Sequence, residues 1–450
     1  MKKILLLAAI SCLLLGCKKY LDQKPDQKLQ LPDNLNALQA LLDNDGLMNT
    51  NSAGTGEVSA DNYYVTYSTW AALTSASAKN MYTWEDDITL FDSPNHWSRT
   101  YDGITDANVV LEKLETITPA VNEQQQWNNI KGAALFYRSR FFLIAAGLWA
   151  KAYDKITAAT DPGIPLRLKS DFSVLSVRST VKQTYDQVLS DLKAAGIYLP
   201  VTPLHVMRPS KTAADGLLAR TYLMMGMYDS ALVYATKSLA ANANLLNYNN
   251  LSSAASFPFA KYNSEVIIHT QMNTPTILTN TKALVDSDLY RSYAVNDLRK
   301  TLFFKSNGNG TYGFKGSYSQ SGLLFTGICT DELYLIKAEC LARQSNITEA
   351  MAVLNNLMIT RWKTGTFVTF AATDTATALN IILKERRKEL IFRDLRWTDL
   401  KRLNKDPATQ QTVQRTLNGV DYFLRPNENR YALPIPSSVI ALTGMMQNPR

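Results

Sequence analysis

Three consecutive acidic residues beside a tryptophan are the sequence feature closest to a catalytic centre. Glu85, Asp86 and Asp87 directly follow Trp84, and a glycosidase needs two carboxylates that face each other across a sugar linkage. Consecutive side chains point in different directions, so the run favours a solvated charge cluster over a catalytic pair. A surface glycoside hydrolase that uses Glu85 or Asp86 is therefore kept as an alternative hypothesis.

Aromatic and amide side chains indicate a different chemistry, the binding of a sugar or a peptide. Flat rings stack on the faces of sugars, and neighbouring amides hydrogen-bond hydroxyl groups. The candidate ligand-binding residues are Trp70, Trp84, Tyr64, Asn62 and Tyr312. The competing interpretation is that these rings only cap a helical core, because aromatic residues are core formers first.

Two loops resemble cofactor or metal motifs without meeting their requirements. Residues 308–313 match the glycine spacing of a dinucleotide-binding loop, but turn-like residues follow where a helix must begin. An EF-hand registered on Gly46 would put Leu41 and Ser52 where acidic ligands are needed. The sequence also lacks serine-hydrolase, zinc-protease and phosphate-loop motifs. We expect no catalytic, cofactor or metal site.

We interpret the three histidines and two of the cysteines, Cys329 and Cys340, as structural residues. The three histidines are scattered along the chain, and no pair of cysteines has the spacing of a zinc ribbon or a redox motif. Cys329 and Cys340 would lie about 16 Å apart along a helix, too far for a disulfide. Both are expected to be small buried hydrophobic residues.

The first seventeen residues predict export and lipid attachment. Lys2 and Lys3 precede an apolar run that is too short to span a bilayer. The run ends in Leu-Leu-Gly before Cys17, which is the pattern of a bacterial lipobox. Residues 1–16 are thus predicted to be a removed signal peptide, Cys17 the site of acylation with palmitate-type chains, and residues 17–32 a lipidated tether. An exported chain with a formal net charge of +8 over 450 residues gives no reason to expect nucleic acid as a partner.

Apolar residues at helical spacing predict an all-α framework. The predicted long helices are 97–117, 127–152, 180–195 and 378–403. The last is rich in Lys and Arg, but acidic residues are interleaved with them, which favours a salt-bridged structural helix in which Trp397 packs inward. Three stretches lack this period, 51–94, 247–330 and 421–450, and long irregular insertions in a rigid scaffold are usually functional.

Two segments repeat each other, 213–239 and 331–357. When they are aligned without gaps, Ala219 matches Ala338 and small residues fall where two antiparallel helices approach closely. This is the pattern of a tetratricopeptide (TPR) helix pair, and two such pairs can bury each other's apolar faces. The turn residue departs from the repeat, because Gly226 corresponds to Ser345.

Several segments, in a fixed order along the chain, resemble one known family. They are the lipobox with its polar tether, the helix start from Trp97 to Asn108, the turn at 163–166, the helix at 332–339, the charged segment 385–402, and the tail segments 433–436 and 447–449. With these segments the chain resembles the SusD/RagB family of surface lipoproteins, which pair with SusC-type TonB-dependent transporters in Bacteroidetes.

The resemblance implies a fold and a function. The fold would be an all-α, SusD-like scaffold of TPR-like helix pairs with long irregular, ligand-bearing insertions. It would form a single domain over 33–450, with a C-terminal region at 378–450. The protein would not be an enzyme but a binding protein of the outer membrane, exposed on the cell surface. It would capture an oligosaccharide or a peptide for a SusC-like TonB-dependent transporter. A TPR scaffold lipoprotein without a nutrient ligand is the third hypothesis.

Overall fold

Short helices and one short strand form the N-terminal part of the fold. The computed structural model describes residues 33–86 and 95–450, so the predicted signal peptide, Cys17, the tether and Asp87 lie outside the described residues. The first elements are α1 Leu35–Leu42, α2 Asp45–Met48, α3 Thr55–Ser59, β1 Tyr63–Tyr64, α4 Tyr67–Ala71 and α5 Ala76–Thr83. The side chains of Asn34, Thr66 and Ser75 accept backbone hydrogen bonds at the starts of α1, α4 and α5, which fixes where these short helices begin.

Three long helices follow, close to their predicted positions. They are α6 His96–Leu114, α7 Gln124–Trp149 and α8 Val181–Tyr198, with the antiparallel pair β2 Pro162–Pro165 and β3 Arg178–Thr180 before α8. Capping boxes begin α6 at Asn95 and α8 at Thr180. The expectation that the third helix ends before Gly196 is wrong, since α8 runs through that glycine to Tyr198.

The first predicted TPR pair is present as α9 Lys211–Met224 and α10 Tyr228–Ala241. Beyond it lies a long insertion of short elements. These are β4 Val266–Ile268, β5 Leu284–Val285, α11 Ser287–Arg291, α12 Arg299–Leu302, β6 Phe304–Ser306, β7 Tyr312–Phe314 and β8 Ile328–Cys329. The strands pair only two by two and antiparallel, β1 with β5, β4 with β8 and β6 with β7. The insertion therefore has no continuous sheet of its own, and contacts with the helices hold it in place.

The second TPR pair is α13 Thr330–Arg343 and α14 Ile347–Met358. Ala219 and Ala338 are both fully buried, as a close helix approach requires. At the turn, Gly226 has φ +67° and Ser345 has φ +61°. The serine thus adopts the same left-handed turn as the glycine, at a cost that glycine avoids.

The predicted helix 378–403 is two helices, α15 Thr375–Glu389 and α16 Arg396–Leu403. The single-helix expectation was wrong because Phe392 and Asp394 have φ values of 57° and 59°, which no right-handed helix accommodates. Trp397 is buried, as expected. A hairpin of β9 Val413–Leu417 and β10 Val420–Leu424 and the short α17 Ser437–Thr443 complete the chain.

Successive helices pack side by side into one array. Helix α7 lies between α6 and α8, α9 contacts α8 and α10, and α13 contacts α10 and α14. This stacking of antiparallel neighbours is a TPR-like helical fold. A second apolar cluster fills the space between α13, α14 and α15, with Leu335, Leu354 and Ile382 fully buried. Within the described residues, no helix is long and apolar enough to cross a bilayer.

Buried charges join the insertion to the C-terminal helices. Arg299 is completely buried and its guanidinium nitrogens lie 2.7 Å from Asp297 and 2.9 Å from Glu389. Arg361, also fully buried, lies 2.7 Å from Glu389 and 2.8 Å from Glu265. Burial alone would raise the pKa of Glu389, but Arg361 and Arg299 hold it below its usual value. We call these five residues the ion-pair core.

Further buried ion pairs account for much of the basic character of α15 and α16. Lys388 contacts Glu385 at 2.8 Å and Asp297 at 3.2 Å, and Arg402 is bonded to Glu339 at 2.6 Å. The interleaved pairs predicted from the sequence are present at i,i+3, but most partners come from elsewhere in the chain. These cations therefore hold the fold together and are not displayed on a surface.

Candidate functional site: an aromatic cleft

A surface cleft of about 670 Å³ lies between the β6–β7 hairpin, helices α11 and α12, and the loop before β4. Its volume is within the range of small-molecule sites. We call it the aromatic cleft, and it is lined by Ser253, Ala254, Ala255, Ser256, Phe257, Asn280, Thr281, Tyr290, Lys300, Thr301, Phe304, Lys305, Ser306, Asn307, Tyr312, Gly313, Phe314 and Lys315. A smaller pocket beside Arg140 and Asp394 has a volume of only about 60 Å³, room for a few water molecules at most.

Two stacked tyrosines form the wall of the aromatic cleft. The ring centroids of Tyr290 and Tyr312 are 3.5 Å apart and their planes differ by 17°. The ammonium of Lys300 lies 5.1 Å from the Tyr290 ring and donates a hydrogen bond to the carbonyl of Tyr293. Burial and the hydrogen bond with Tyr312 raise the pKa of Tyr290 to about 12. Tyr290 is thus a neutral, half-exposed ring at physiological pH.

The β6–β7 turn determines where Tyr312 lies. Gly308 and Gly310 both have φ +82°, in the left-handed region that glycine tolerates. Asn307 closes the turn, because its backbone N–H donates to the carbonyl of Thr311 at 3.0 Å. The glycine motif at 308–313 is therefore a hairpin turn followed by a strand, and it lacks the helix that a dinucleotide site requires.

Close packing holds this hairpin against the neighbouring loop. A Cβ atom at Gly313 would lie 2.7 Å from the carbonyl oxygen of Asn280, so a larger residue would push the hairpin off that loop. Below it, Phe314 packs on Phe392 with ring centroids 5.0 Å apart. The unusual backbone at Phe392 thus supplies the floor on which the hairpin rests.

Of the candidate ligand residues, the structure places Tyr312 in the aromatic cleft and two others near the surface outside its lining. Tyr64 is half-buried on β1, opposite Leu284 of β5, and β5 packs against β7. Trp70 is half-buried on α4, where it stacks on the exposed ring of Tyr67 at 6.0 Å and its indole N–H donates to the carbonyl of Lys79. Both rings remain candidates for ligand contact.

Trp84 and Asn62 require a correction, because both are buried. Trp84 is 2% exposed and its indole N–H donates to the carbonyl of Ser59 at 3.0 Å. Asn62 is 1% exposed and its amide donates to Glu57 at 2.7 Å. In this structure neither side chain reaches a surface where a ligand binds, so both support the region from within.

Sequence reasoning missed Tyr290, Phe257 and Lys300 as members of the aromatic cleft. Phe257 had a signal, since it begins the Phe-Pro-Phe run in an irregular segment. Tyr290 had none, because it is separated from Tyr312 by more than twenty residues and only the fold of α11 and the hairpin brings the rings together.

Glu85 and Asp86, the described acidic residues after Trp84, do not line the aromatic cleft. Glu85 and Asp86 are exposed, and Arg450 donates a hydrogen bond to the carbonyl of Glu85 at 2.6 Å. Among the described residues that line the cleft, none carries a carboxylate.

Metal-binding side chains do not converge in the described parts of the chain, where no group of three or more His, Cys, Asp or Glu residues is placed to hold an ion. His269 is fully buried against Tyr262 and Phe325, and burial lowers its pKa to about 3. Cys329 and Cys340 are free and buried, which confirms that they form no disulfide.

Two family models match separate parts of the chain. One, described as starch-binding associating with outer membrane, matches residues 19–223, and the other, described as the SusD family, matches residues 329–450. Together they cover well over half of the sequence. The search of curated proteins finds no match.

Solved structures with the same fold are numerous. A SusD superfamily protein from Bacteroides thetaiotaomicron is 23% identical, with a TM-score of 0.75 over 93% of this chain and 100% of its own. A SusD-like carbohydrate binding protein from Bacteroides vulgatus is 18% identical, with a TM-score of 0.69 over 92% and 97%. A laminarin binding SusD-like protein is 17% identical, with a TM-score of 0.66 over 92% and 97%. At these identities the structural likeness establishes the fold alone.

Proposed function

The chain belongs to the SusD/RagB family, and from that premise we propose that it is a nutrient-binding protein that holds an oligosaccharide in the aromatic cleft. The family is carbohydrate-binding and associated with the outer membrane. The stacked pair of Tyr290 and Tyr312 in the wall of a sugar-sized cleft is the observation that carries the proposal. A peptide is the alternative ligand of the same site.

The chemistry of the lining suits a neutral, hydroxyl-rich ligand. The half-exposed rings of Tyr312 and Phe257 offer flat apolar faces to the C–H groups of a pyranose. Asn280, Thr281 and Asn307 supply both donors and acceptors for hydroxyl groups. The stacking within the tyrosine pair fixes the ring orientation before the ligand arrives, which lowers the entropic cost of binding.

Binding without turnover is consistent with this lining. Glycoside hydrolysis needs one carboxylic acid and one carboxylate close to the scissile bond. The described lining of the aromatic cleft offers Lys300, Lys305 and Lys315 but no acidic side chain. Glu85 and Asp86 are exposed and belong to another part of the surface, so the cleft supports capture and release of an intact ligand.

The cellular setting follows from the N-terminal sequence. The lipobox ending at Cys17 supports acylation of that cysteine after removal of residues 1–16. Residues 17–32 then act as a tether that holds the folded part at the outer membrane, exposed to the cell surface. We propose that the captured ligand passes from the aromatic cleft to a SusC-like TonB-dependent transporter, which forms a complex with the helical array.

Isothermal titration with a panel of oligosaccharides, laminarin included, and a matched panel of peptides tests the ligand. For the best ligand, Tyr312→Ala is expected to lower the affinity about tenfold, the equivalent of about 1.4 kcal/mol. Phe423→Ala is the matched control, because Phe423 is a partly exposed ring on β10 outside the cleft. Unchanged affinity in Tyr312→Ala, or an equal loss of affinity in Phe423→Ala, would contradict binding of the ligand in the aromatic cleft.

Purification in mild detergent of the tagged, lipidated chain from its native membrane tests the partner. A stoichiometric β-barrel receptor is the expected companion, and recovery of the chain alone would contradict delivery to a transporter. Incubation of the purified chain with the same oligosaccharides tests for catalysis. Sugar release that is abolished by Glu85→Gln or Asp86→Asn would favour the hydrolase hypothesis.

A further inference from the structure

One end of the α6–α7–α8 bundle exposes several large apolar side chains. Val121 is 99% exposed, Phe172 93%, Ile197 80% and Leu175 67%. Single exposed apolar residues are normal on a protein surface, but several that share one end of the molecule mark an interaction site.

The chain connections and hydrogen bonds place these residues at the same end. Val121 lies in the short connection between α6 and α7, and Ile197 lies in the last turn of α8. The loop that carries Phe172 is fixed to the end of α6, because Ser170 donates its backbone N–H to Glu112 at 2.9 Å and Lys169 lies 4.0 Å from Glu115.

The loop is held in a shape that presents Phe172 to solvent. Asn108 on α6 donates its amide to the carbonyl of Arg167 at 2.8 Å, and Arg167 in turn reaches across the loop to Ser176 at 3.2 Å. These bonds tie down both arms of the loop while its apolar tip makes no core contact. Exposure of this apolar tip to water is unfavourable, and contact with a partner surface would remove that free-energy cost.

An amphipathic aromatic pair with a lysine lies between these apolar tips. Trp127 and Tyr198 meet edge to face with ring centroids 6.2 Å apart. The ammonium of Lys131 lies 4.7 Å from the first ring and 4.6 Å from the second. Both rings are only partly buried. Trp, Tyr and snorkelling Lys are the side chains that lie at the level of lipid headgroups, where one part of each is apolar and the other is hydrated.

The described chain also starts at this end. Gln126, at the beginning of α7, donates its amide to Asn36 of α1 at 2.8 Å, so the first described helix begins beside the start of α7. The sixteen residues from Cys17 to position 32 span at most about 55 Å when fully extended. A lipid on Cys17 is therefore within reach of this surface.

We propose that this end, defined by Val121, Trp127, Phe172, Leu175 and Ile197 and called the tether-side end, rests on the lipid surface in which the acyl chains of Cys17 are embedded. The inference relies on the lipid anchor of the proposed function and adds a second, direct membrane contact. Phe172 and Leu175 enter the boundary between headgroups and acyl chains, and Trp127 and Tyr198 lie at the headgroup level. The lipid then fixes an orientation of the folded part, which a tether alone leaves free.

The local charges make the contact apolar in character. The basic residues at this end, Lys113, Lys131, Arg167 and Lys169, are matched in number by the acidic residues Glu112, Glu115, Glu123 and Asp171, so the surface has no excess of cations to attract anionic lipid. Binding is accordingly expected to depend weakly on salt and on the fraction of anionic lipid.

A fluorescent label on the lipidated full chain tests the contact directly. Ser173→Cys places an environment-sensitive dye beside Phe172, and Ala294→Cys places it on an exposed site in another part of the fold. Cys329 and Cys340 are buried, so neither competes for the dye. On vesicles of phosphatidylethanolamine and phosphatidylglycerol, the dye at 173 is expected to shift to the blue and to be quenched by chain-brominated lipid, while the dye at 294 is not.

Two results would overturn the inference. One is a dye at 173 that remains as in water on vesicles. The other is a dye at 173 that responds only after a co-purified barrel receptor is added, which would assign the tether-side end to a protein partner. Titration of the same labelled chains with the glycan tests the proposed function separately. A chain that does not bind the glycan can still give the lipid signal, and a chain that binds the glycan can fail to give it.

A second measurement isolates the apolar side chains from the anchor. The Cys17→Ser chain carries no lipid, so its sedimentation with the same vesicles reports the folded surface. Phe172→Ser in that background is expected to lower the partition coefficient about tenfold, the effect of removing one buried aromatic side chain from the lipid contact. Val295→Ser, at another highly exposed position, is the control. Equal partition of the two variants would count against the inference.

Discussion

The aromatic cleft lies in the long insertion and the ion-pair core joins that insertion to the C-terminal helices, but the two regions use opposite chemistry. In the ion-pair core, Arg299 and Arg361 are fully buried and every carboxylate around them is bonded. In the aromatic cleft, Tyr290 and Tyr312 are stacked rings that keep part of their surface in solvent. The charged groups of the ion-pair core are bonded within the protein, while the rings and amides of the aromatic cleft remain available to a ligand.

The difference shows how a chain whose described strands pair only two by two keeps a binding site in a fixed position. Long irregular segments have little regular hydrogen bonding to order them, so charge pairs of low solvent exposure fix their positions relative to α15 and α16. The cleft can then consist of groups that contribute little to stability. Changes in the two regions should therefore separate stability from ligand affinity, and the following predictions test that separation in order of expected size.

Arg299→Ala should have the largest effect, on stability. It leaves three buried carboxylates with reduced compensation, and loss of one member of a buried ion-pair group costs about 3–5 kcal/mol of unfolding free energy. Urea denaturation followed by circular dichroism measures it. Arg425→Ala removes an exposed pair with Glu428 and should leave stability unchanged. A loss in Arg299→Ala no greater than in this control would show that the ion-pair core does not organise the insertion.

Glu57 should make stability depend on pH. Burial raises its pKa from 4.5 to about 7, so the folded state binds more protons than the unfolded state between those values. The free energy of unfolding therefore falls as pH rises from about 4.5 to 7, by about 3 kcal/mol at most from this group. Glu57→Gln should reduce the difference in unfolding free energy between pH 5 and pH 8, measured by urea denaturation. Glu85→Gln, at an exposed position, should leave that difference unchanged. An equal difference in the wild type and both variants would refute the role of Glu57.

Trp84→Phe should lower stability by less than Arg299→Ala and leave ligand affinity unchanged. The substitution removes the indole N–H that donates to Ser59 and leaves a small void, which costs about 1–2 kcal/mol of unfolding free energy. Glycan affinity should stay at the wild-type value, in contrast to Tyr312→Ala. Thermal denaturation and calorimetric titration of the same sample measure both quantities. A tenfold loss of affinity with unchanged stability would instead restore Trp84 as a ligand contact.

Ser345→Gly should have the smallest effect and should be stabilising. The serine has φ +61° at the turn between α13 and α14, and glycine adopts that conformation without the Cβ clash, a gain of about 1 kcal/mol. Gly226→Ser in the matching turn should lose a similar amount. Denaturant midpoints compare the two variants, and a destabilised Ser345→Gly would mean that the serine side chain contributes more than its strain costs.

Local patterns in the sequence predicted the parts of this protein that local forces decide. The apolar period located α6, α7 and α8 within a few residues, and the repeat located both TPR pairs. Pattern reasoning failed at α15 and α16, because the break at Phe392 and Asp394 depends on packing against β7 and α3. Periodicity contains no information about such distant contacts.

The candidate site shows the same division. Tyr312 could be singled out because it lies in an aromatic, glycine-rich segment, while Trp84 and Asn62 looked equivalent and proved to be buried. The sequence by itself determined the helical scaffold, since the apolar period depends on residues close together in the chain, and it indicated the family through several local segments in a fixed order. Only the tertiary structure decided which rings face solvent and which charges are paired, because both depend on residues brought together from far apart.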